Sequence, residues 1–185
     1  MQECGSGLIR IYFEKEELFL TLPSPQIKTI SLEKVAQISQ ALGILASDVQ
    51  LAEQVDIGAV WYTLQLTNAK QVLNINPKMG LLSQAIPRGV TGVTIFGKYP
   101  ANSKTNIEVR SFAPNEGANE DPVCGSGNGC VAAMIKEHHL LKTPQYLVSQ
   151  GVRLGRDGYV KVRFSEDQIL LGGFAKVCIE GHLSI

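Results

Sequence analysis

What this chain has little of narrows its function first. No apolar run approaches the ~18 residues that a membrane-spanning helix needs, so no membrane partner is expected. Lys+Arg and Asp+Glu balance at 17 each. There is no basic block and no interleaving of basic with aromatic residues, so no nucleic-acid partner is expected. Histidines stand only at 138, 139 and 182, and the four cysteines, at 4, 124, 130 and 178, form no C-x-x-C pair. A structural zinc site needs about four ligands at local spacing, so no metal is expected. Nothing matches a P-loop. The glycines of 125–129 follow Asp-Pro at the wrong spacing for a dinucleotide fingerprint, so no cofactor is expected. Residues 1–5 lack the basic and apolar regions of a secretory signal, which predicts a cytoplasmic location, where thiols stay reduced.

What the chain does have is concentrated in Glu120-Asp121-Pro122-Val123-Cys124-Gly125-Ser126-Gly127-Asn128-Gly129-Cys130, which runs straight into Val131-Ala132-Ala133-Met134-Ile135. Small residues let a backbone approach a ligand closely. The first free N–H groups of a helix favour an anion, which places Gly125 and Gly127 as substrate-binding candidates, with Glu120 beside them. Asp121, Cys124 and Ser126 can carry or donate a proton and are the catalytic candidates. The following helix has no polar stripe, so it is expected to be buried on all sides. Lys136, His138 and His139 at its end suit the negative end of its dipole.

Around this segment the pattern predicts many strands and few helices. Residues 8–13 and 18–22 read as a hairpin, and Pro23-Ser24-Pro25 as a linker. Ser31 caps a helix carrying Leu32, Val35, Ile38 and Leu42, which Gly43 ends. Strands are expected over 56–66, 71–75, 93–96, 107–112, 146–150, 159–164, 168–171 and 174–179. Asn76-Pro77 should start a helix that runs to about 86, and the helix after the glycine loop should reach about 139. Cys178 reads as a small buried hydrophobe in an alternating strand. Most strands follow one another without a crossover helix. The fold class is therefore α+β, with a mixed, mostly antiparallel, barrel-like sheet wrapped around a buried central helix.

The residues also carry a resemblance. Arg110-Ser111-Phe112-Ala113-Pro114, Glu120-Asp121-Pro122-Val123 and Gly125-Ser126 resemble the C-terminal signature of the PhzF-like isomerases, named for phenazine biosynthesis. Glu3-Cys4-Gly5-Ser6-Gly7-Leu8 is similar to the family's mid-chain strand, and the segment from Gln150-Gly151 to Leu154-Gly155-Arg156-Asp157-Gly158 to its tail. The resemblance covers nearly the whole chain. It implies half of a diaminopimelate-epimerase-like fold: the family has two similar domains, each a sheet around a central helix, with the active site in the cleft between them. Residues 1–25 would be the last hairpin of the first domain and 26–185 the whole second domain. The family's catalytic glutamate and Gly-His motif, both in the first domain, have no match here.

By that resemblance Asp121 and Ser126 match the family's C-terminal active-site aspartate and serine, which bind substrate and help relay protons. Cys124 stands where most members have Thr. It is either a Thr-sized packing replacement or an acid/base thiol, as in the second cysteine motif of diaminopimelate epimerase, with a pKa lowered by the helix N-terminus. The implied activity is cofactor-independent proton transfer on a small carboxylated metabolite. The site would be completed by a second copy of this chain or by a separate first-domain chain, and the hairpin of 1–25, left without its sheet, would invite such pairing. Two other readings stand beside it: a non-catalytic remnant or small-anion-binding domain, and a thiol-based redox protein using Cys124 and Cys130.

Overall fold

A computed structural model describes residues 1–5, 7–165 and 167–182, with the side chain of Cys4 excepted. Ser6, inside the segment that resembles the family's mid-chain strand, lies outside the described residues. Short strands β1 (Gln2–Cys4) and β2 (Gly7–Ile9) pair with each other. A hairpin of β3 (Ile11–Glu14) and β4 (Glu17–Thr21) follows, turning at Lys15. Then come β5 (Gln26–Thr29), α1 (Leu32–Leu42), β6 (Val49–Asp56), β7 (Val60–Leu66), α2 (Ala69–Asn74) and α3 (Met79–Ala85). Strands β8 (Gly92–Lys98), β9 (Ile107–Ala113) and β10 (Ala118–Asp121) lead into α4 (Gly125–Glu137). Strands β11 (Gln145–Gln150), β12 (Gly158–Phe164) and β13 (Ile169–Phe174) close the order. No helix among the described residues is long and apolar enough to cross a membrane.

One mixed sheet holds all strands but β1 and β2, in the order β3-β4-β13-β12-β11-β9-β8-β7-β6-β5, with β10 on β9. The β7–β8 and β9–β11 pairs are parallel and the rest antiparallel. The expected barrel is corrected in one respect: β3 and β5 remain edges, so the sheet is not closed. Alternation divides its faces. Trp61, Phe96 and Val109 pack with Val131 and Met134 of α4 on one face. Leu64, Ile95 and Phe112 pack with Ile38 and Leu42 of α1 and Leu82 of α3 on the other. Each large side chain buried this way contributes about 1.5–3 kcal/mol. Every residue of α4 from 127 to 135 is buried, as its all-round apolar surface requires, and α4 touches β6, β7, β8, β12 and β13.

Several local expectations change. The strand expected at 71–75 is α2. Asn68 Oδ1 accepts from Gln71 N at 2.9 Å and Gln71 Oε1 accepts from Thr67 N at 3.1 Å, a reciprocal cap that outweighs the short apolar run. The next helix starts at Met79 rather than at Pro77, because Lys78 N is drawn to Ala41 O at 2.7 Å, at the end of α1. The strand expected at 56–66 begins only at Val60, after a turn at Gly58 with φ +96° that separates it from β6. The hairpin of β3 and β4 has a sheet in its own chain: β4 pairs with β13, and Leu22 N reaches Ile169 O at 2.9 Å. Beyond Phe174, which faces Glu17 at the start of β4, no strand remains to pair with. Residues 175–179 are therefore not a strand, and Cys178 is exposed rather than buried.

Candidate active site

The glycine-rich segment opens α4 with Cys124 as its N-cap. Cys124 Sγ accepts from Gly127 N at 3.2 Å, and the first intrahelical bond runs from Asn128 N to Cys124 O at 3.1 Å. The amides of Gly125 and Ser126 precede that bond and have no intrahelical partner. A Cβ at Gly127 would stand 2.5 Å from Ser111 Oγ, and one at Gly129 2.5 Å from Ile57 Cδ1. These two glycines let the helix sit directly on its neighbours. Gly125 instead has open space beside it.

Ser126 lies half-buried with its Oγ accepting from Trp61 Nε1 at 3.1 Å. Gly125 and Ser126 line a cavity of about 260 Å³ whose other walls are mostly apolar, among them Leu20, Leu22, Ile57 and Leu171, with Thr21 and Gln2 as its polar side chains. A carboxylate at the two free amides would have an apolar body beside it.

The two carboxylates go to opposite faces of the sheet, because neighbours on a strand alternate. Asp121 sits opposite Ser111, whose hydroxyl faces Gly127 of α4. Its Oδ1 accepts from Val123 N at 2.9 Å. Glu120 is taken up entirely by Arg110, Nε to Oε1 and Nη2 to Oε2, both at 2.8 Å. Arg110 also donates to the carbonyls of Val72 and Ile75, at 3.1 and 2.7 Å. The structure thus brings Asp121, Cys124, Gly125 and Ser126 together; the Gly127 amide, expected to meet substrate, is instead taken up by Cys124 Sγ, and Glu120 lies in an ion pair with Arg110.

The Cys124 thiol runs against its acid/base reading and fits the packing replacement. Burial pushes its thiol up, and this outweighs the Gly127 N–H and the Ser126 hydroxyl that favour the thiolate; Asp121 pushes it further up and the Ser111 hydroxyl opposes. Cys130 is buried inside the helix with Sγ 3.5 Å from Val55 O, and burial raises its thiol as well. Six helical residues place about 9 Å of rise between the Cys124 and Cys130 backbones, beyond the Cα separation a disulfide spans. A redox pair is therefore corrected away. His138, expected to serve the helix dipole, places Nε2 3.0 Å from Glu53 Oε1.

Sequence reasoning missed the residues that hold this segment. Gln150 on β11 bonds Cys124 N, Asn128 Nδ2 and Asp121 O. Ser111 shares a 2.9 Å bond with Thr94. Trp61, whose indole holds the Ser126 hydroxyl, lies within the strand expected over 56–66. Among the described residues no three His, Cys, Asp or Glu side chains are grouped to hold a metal ion.

Known proteins share the sequence pattern and the fold. The family model PhzC-PhzF, described as phenazine biosynthesis-like protein, matches residues 1–181. A Schizosaccharomyces pombe protein named antisense-enhancing sequence 1 is 37% identical over 98% of this chain and 65% of its own length. An uncharacterized isomerase of the same yeast is 32% identical over 89% of this chain and 95% of its own length. The Bacillus anthracis phenazine biosynthesis protein of the PhzF family superposes with a TM-score of 0.71 at 18% identity, over 90% of this chain and 61% of that one. A PhzF-family protein of Enterococcus faecalis gives 0.68 at 21%, over 98% and 63%. At such identities the two structures speak to the fold alone, and this chain spans less than two thirds of either. From the family match and the yeast relatives, the chain belongs to the PhzC-PhzF family of phenazine biosynthesis-like proteins.

Proposed function

We propose that this chain is a PhzF-like isomerase, or its C-terminal half, which moves a proton on a small carboxylated metabolite without a cofactor. The observation that carries the reading is the pair of free amides at Gly125 and Ser126. They open into a mostly apolar cavity, with the Ser126 hydroxyl held by Trp61 and Asp121 three residues before the N-cap. The substrate carboxylate binds the two amides, where the helix N-terminus favours negative charge. Asp121 and Ser126 orient the substrate and relay the proton. Cys124 stays a neutral cap, in keeping with its burial, which outweighs the bond from Gly127 N. The base that removes the proton next to the carboxylate comes from a second chain, either a second copy or a separate first domain. The proton then returns at another carbon or at the opposite face of the same one.

The same reading treats residues 1–25 as the family's first-domain hairpin and 26–185 as its second domain. It takes the sheet and α4 as one half of a diaminopimelate-epimerase-like fold, and places the protein in the cytoplasm, in keeping with the free thiols of Cys124, Cys130 and Cys178. A carboxylate titration followed at the backbone amides tests the anion site. Benzoate should shift Gly125 and Ser126 first, and shifts scattered over the surface would refute the site. Light scattering tests the second-copy form: a dimer supports it, and a monomer redirects the search to a separate partner chain.

A further inference from the structure

We propose that Gln150 is the positioning residue of this site: its single carboxamide sets the backbone of 121–128 so that the Gly125 and Ser126 amides face the cavity. The proposal rests on the anion-site reading above. Gln150 is 1% exposed. Its Oε1 accepts from Cys124 N at 3.2 Å and from Asn128 Nδ2 at 2.6 Å, and its Nε2 donates to Asp121 O at 2.9 Å. One side chain thus ties the residue that carries the carboxylate, the helix cap and the first helical turn. Asn128 closes the triangle by donating to Cys124 O at 2.7 Å. Every bond of the Gln150 carboxamide goes to this segment.

Two glycines let the segment sit close against the sheet. Gly151, directly after Gln150, has φ +91°, and a Cβ there would lie 2.6 Å from Pro122 O. A Cβ at Gly158, opposite Gln150 in β12, would meet Val123 Cγ2 at 2.4 Å. With no side chain on Gly151 or Gly158, the loop takes its height from the two glycines and its register from the carboxamide. That register needs a group that both accepts and donates. A carboxylate accepts only, and a methionine does neither usefully.

Two variants separate positioning from packing. Gln150→Met keeps the length and loses all three bonds. Gln150→Glu keeps the two acceptances and regains the donation to Asp121 O only when protonated, which burial favours. Both are placed in a Cys4→Ser, Cys178→Ser background. They are probed with 4,4′-dithiodipyridine for Cys124 and with benzoate for the Gly125 and Ser126 amides. In Gln150→Met, labelling should be about tenfold faster and benzoate binding about tenfold weaker, the scale of one buried hydrogen bond. Gln150→Glu should match it at about pH 8 and return toward the unsubstituted rate at about pH 5, each compared at equal pH as its carboxyl protonates. Unchanged labelling in both variants overturns the proposal. So does a Gln150→Glu effect that is flat with pH, which marks packing alone. If Gln150→Met does not fold, the pH recovery of Gln150→Glu decides. If benzoate does not bind the unsubstituted chain, the anion-site reading fails, and labelling still decides the role of Gln150.

Discussion

The indole of Trp61 donates to the hydroxyl of Ser126 at 3.1 Å. This bond joins the first turn of α4 to β7, 65 residues away in sequence. The helix start is therefore anchored from two strands, by Trp61 on β7 and by Gln150 on β11. A helix end fixed from two sides can hold its free amides at a constant distance from a ligand.

The glycines of the loop should separate sharply on substitution. Gly127→Ala drives a Cβ to 2.5 Å from Ser111 Oγ, whereas Gly125→Ala meets nothing within 4 Å. Overpacking costs about 1–3 kcal/mol, against a gain of up to about 1 kcal/mol from replacing helical Gly by Ala. Urea unfolding should show Gly127→Ala destabilised and Gly125→Ala neutral or slightly stabilised. Equal effects would contradict the close packing of Gly127.

Glu120 should behave as a structural residue. Glu120→Ala leaves the 3% exposed Arg110 without its two-point carboxylate, with the Val72 and Ile75 carbonyls as its remaining bonds. Breaking such a pair costs about 3–5 kcal/mol, readable as a lowered urea midpoint. A ligand-binding role for Glu120 would instead leave stability intact and weaken only carboxylate binding.

Glu108 gives a pH signature. Its carboxyl is fully buried on β9, accepts from Tyr99 Oη at 2.9 Å, and is raised from its usual value of 4.5 chiefly by burial. Partial burial of Tyr99 itself and the neighbouring carboxylate push its phenol up to about 12. A raised folded pKa means that the folded state holds the proton more tightly than the unfolded chain. That stability is present below the unfolded value and is lost as pH rises through the folded one. Glu108→Gln removes the titration and keeps an acceptor for Tyr99. Its stability relative to the unsubstituted chain should therefore grow as pH rises above 4.5. A pH-independent difference would show that Glu108 has no raised pKa.

Much of the site was legible in the sequence because it is local. A cysteine cap, three glycines and an all-apolar run describe a buried helix and its open end within a dozen residues. Ser31 and Gly43 were readable as the ends of α1 for the same reason: Ser31 Oγ accepts from Lys34 N at 3.2 Å and Gly43 has φ +75°. What escaped depends on distant partners. Gln150, Trp61 and Arg110 act on residues far from them in sequence, and no spacing records that. The strand expected at 174–179 failed because a sheet partner, not alternation, decides whether a strand forms. Glu120 looked like a second active-site carboxylate because the sequence does not show which face of β10 each neighbour takes. Of the two readings of Cys124, the packing replacement fits better, because burial outweighs the helix end.

The most direct test of the account is solvent-deuterium exchange, followed by NMR, on small carboxylic acids with an acidic C–H next to or conjugated with the carboxylate. It should be run on the protein with any chain that co-purifies with it. The account predicts deuterium at one carbon of at least one such acid, slowed strongly by Asp121→Asn and by Ser126→Ala while both variants remain folded. Exchange unaffected by either substitution, or benzoate bound at Gly125 and Ser126 with no exchange in any acid, would contradict it and leave an anion-binding domain without catalysis.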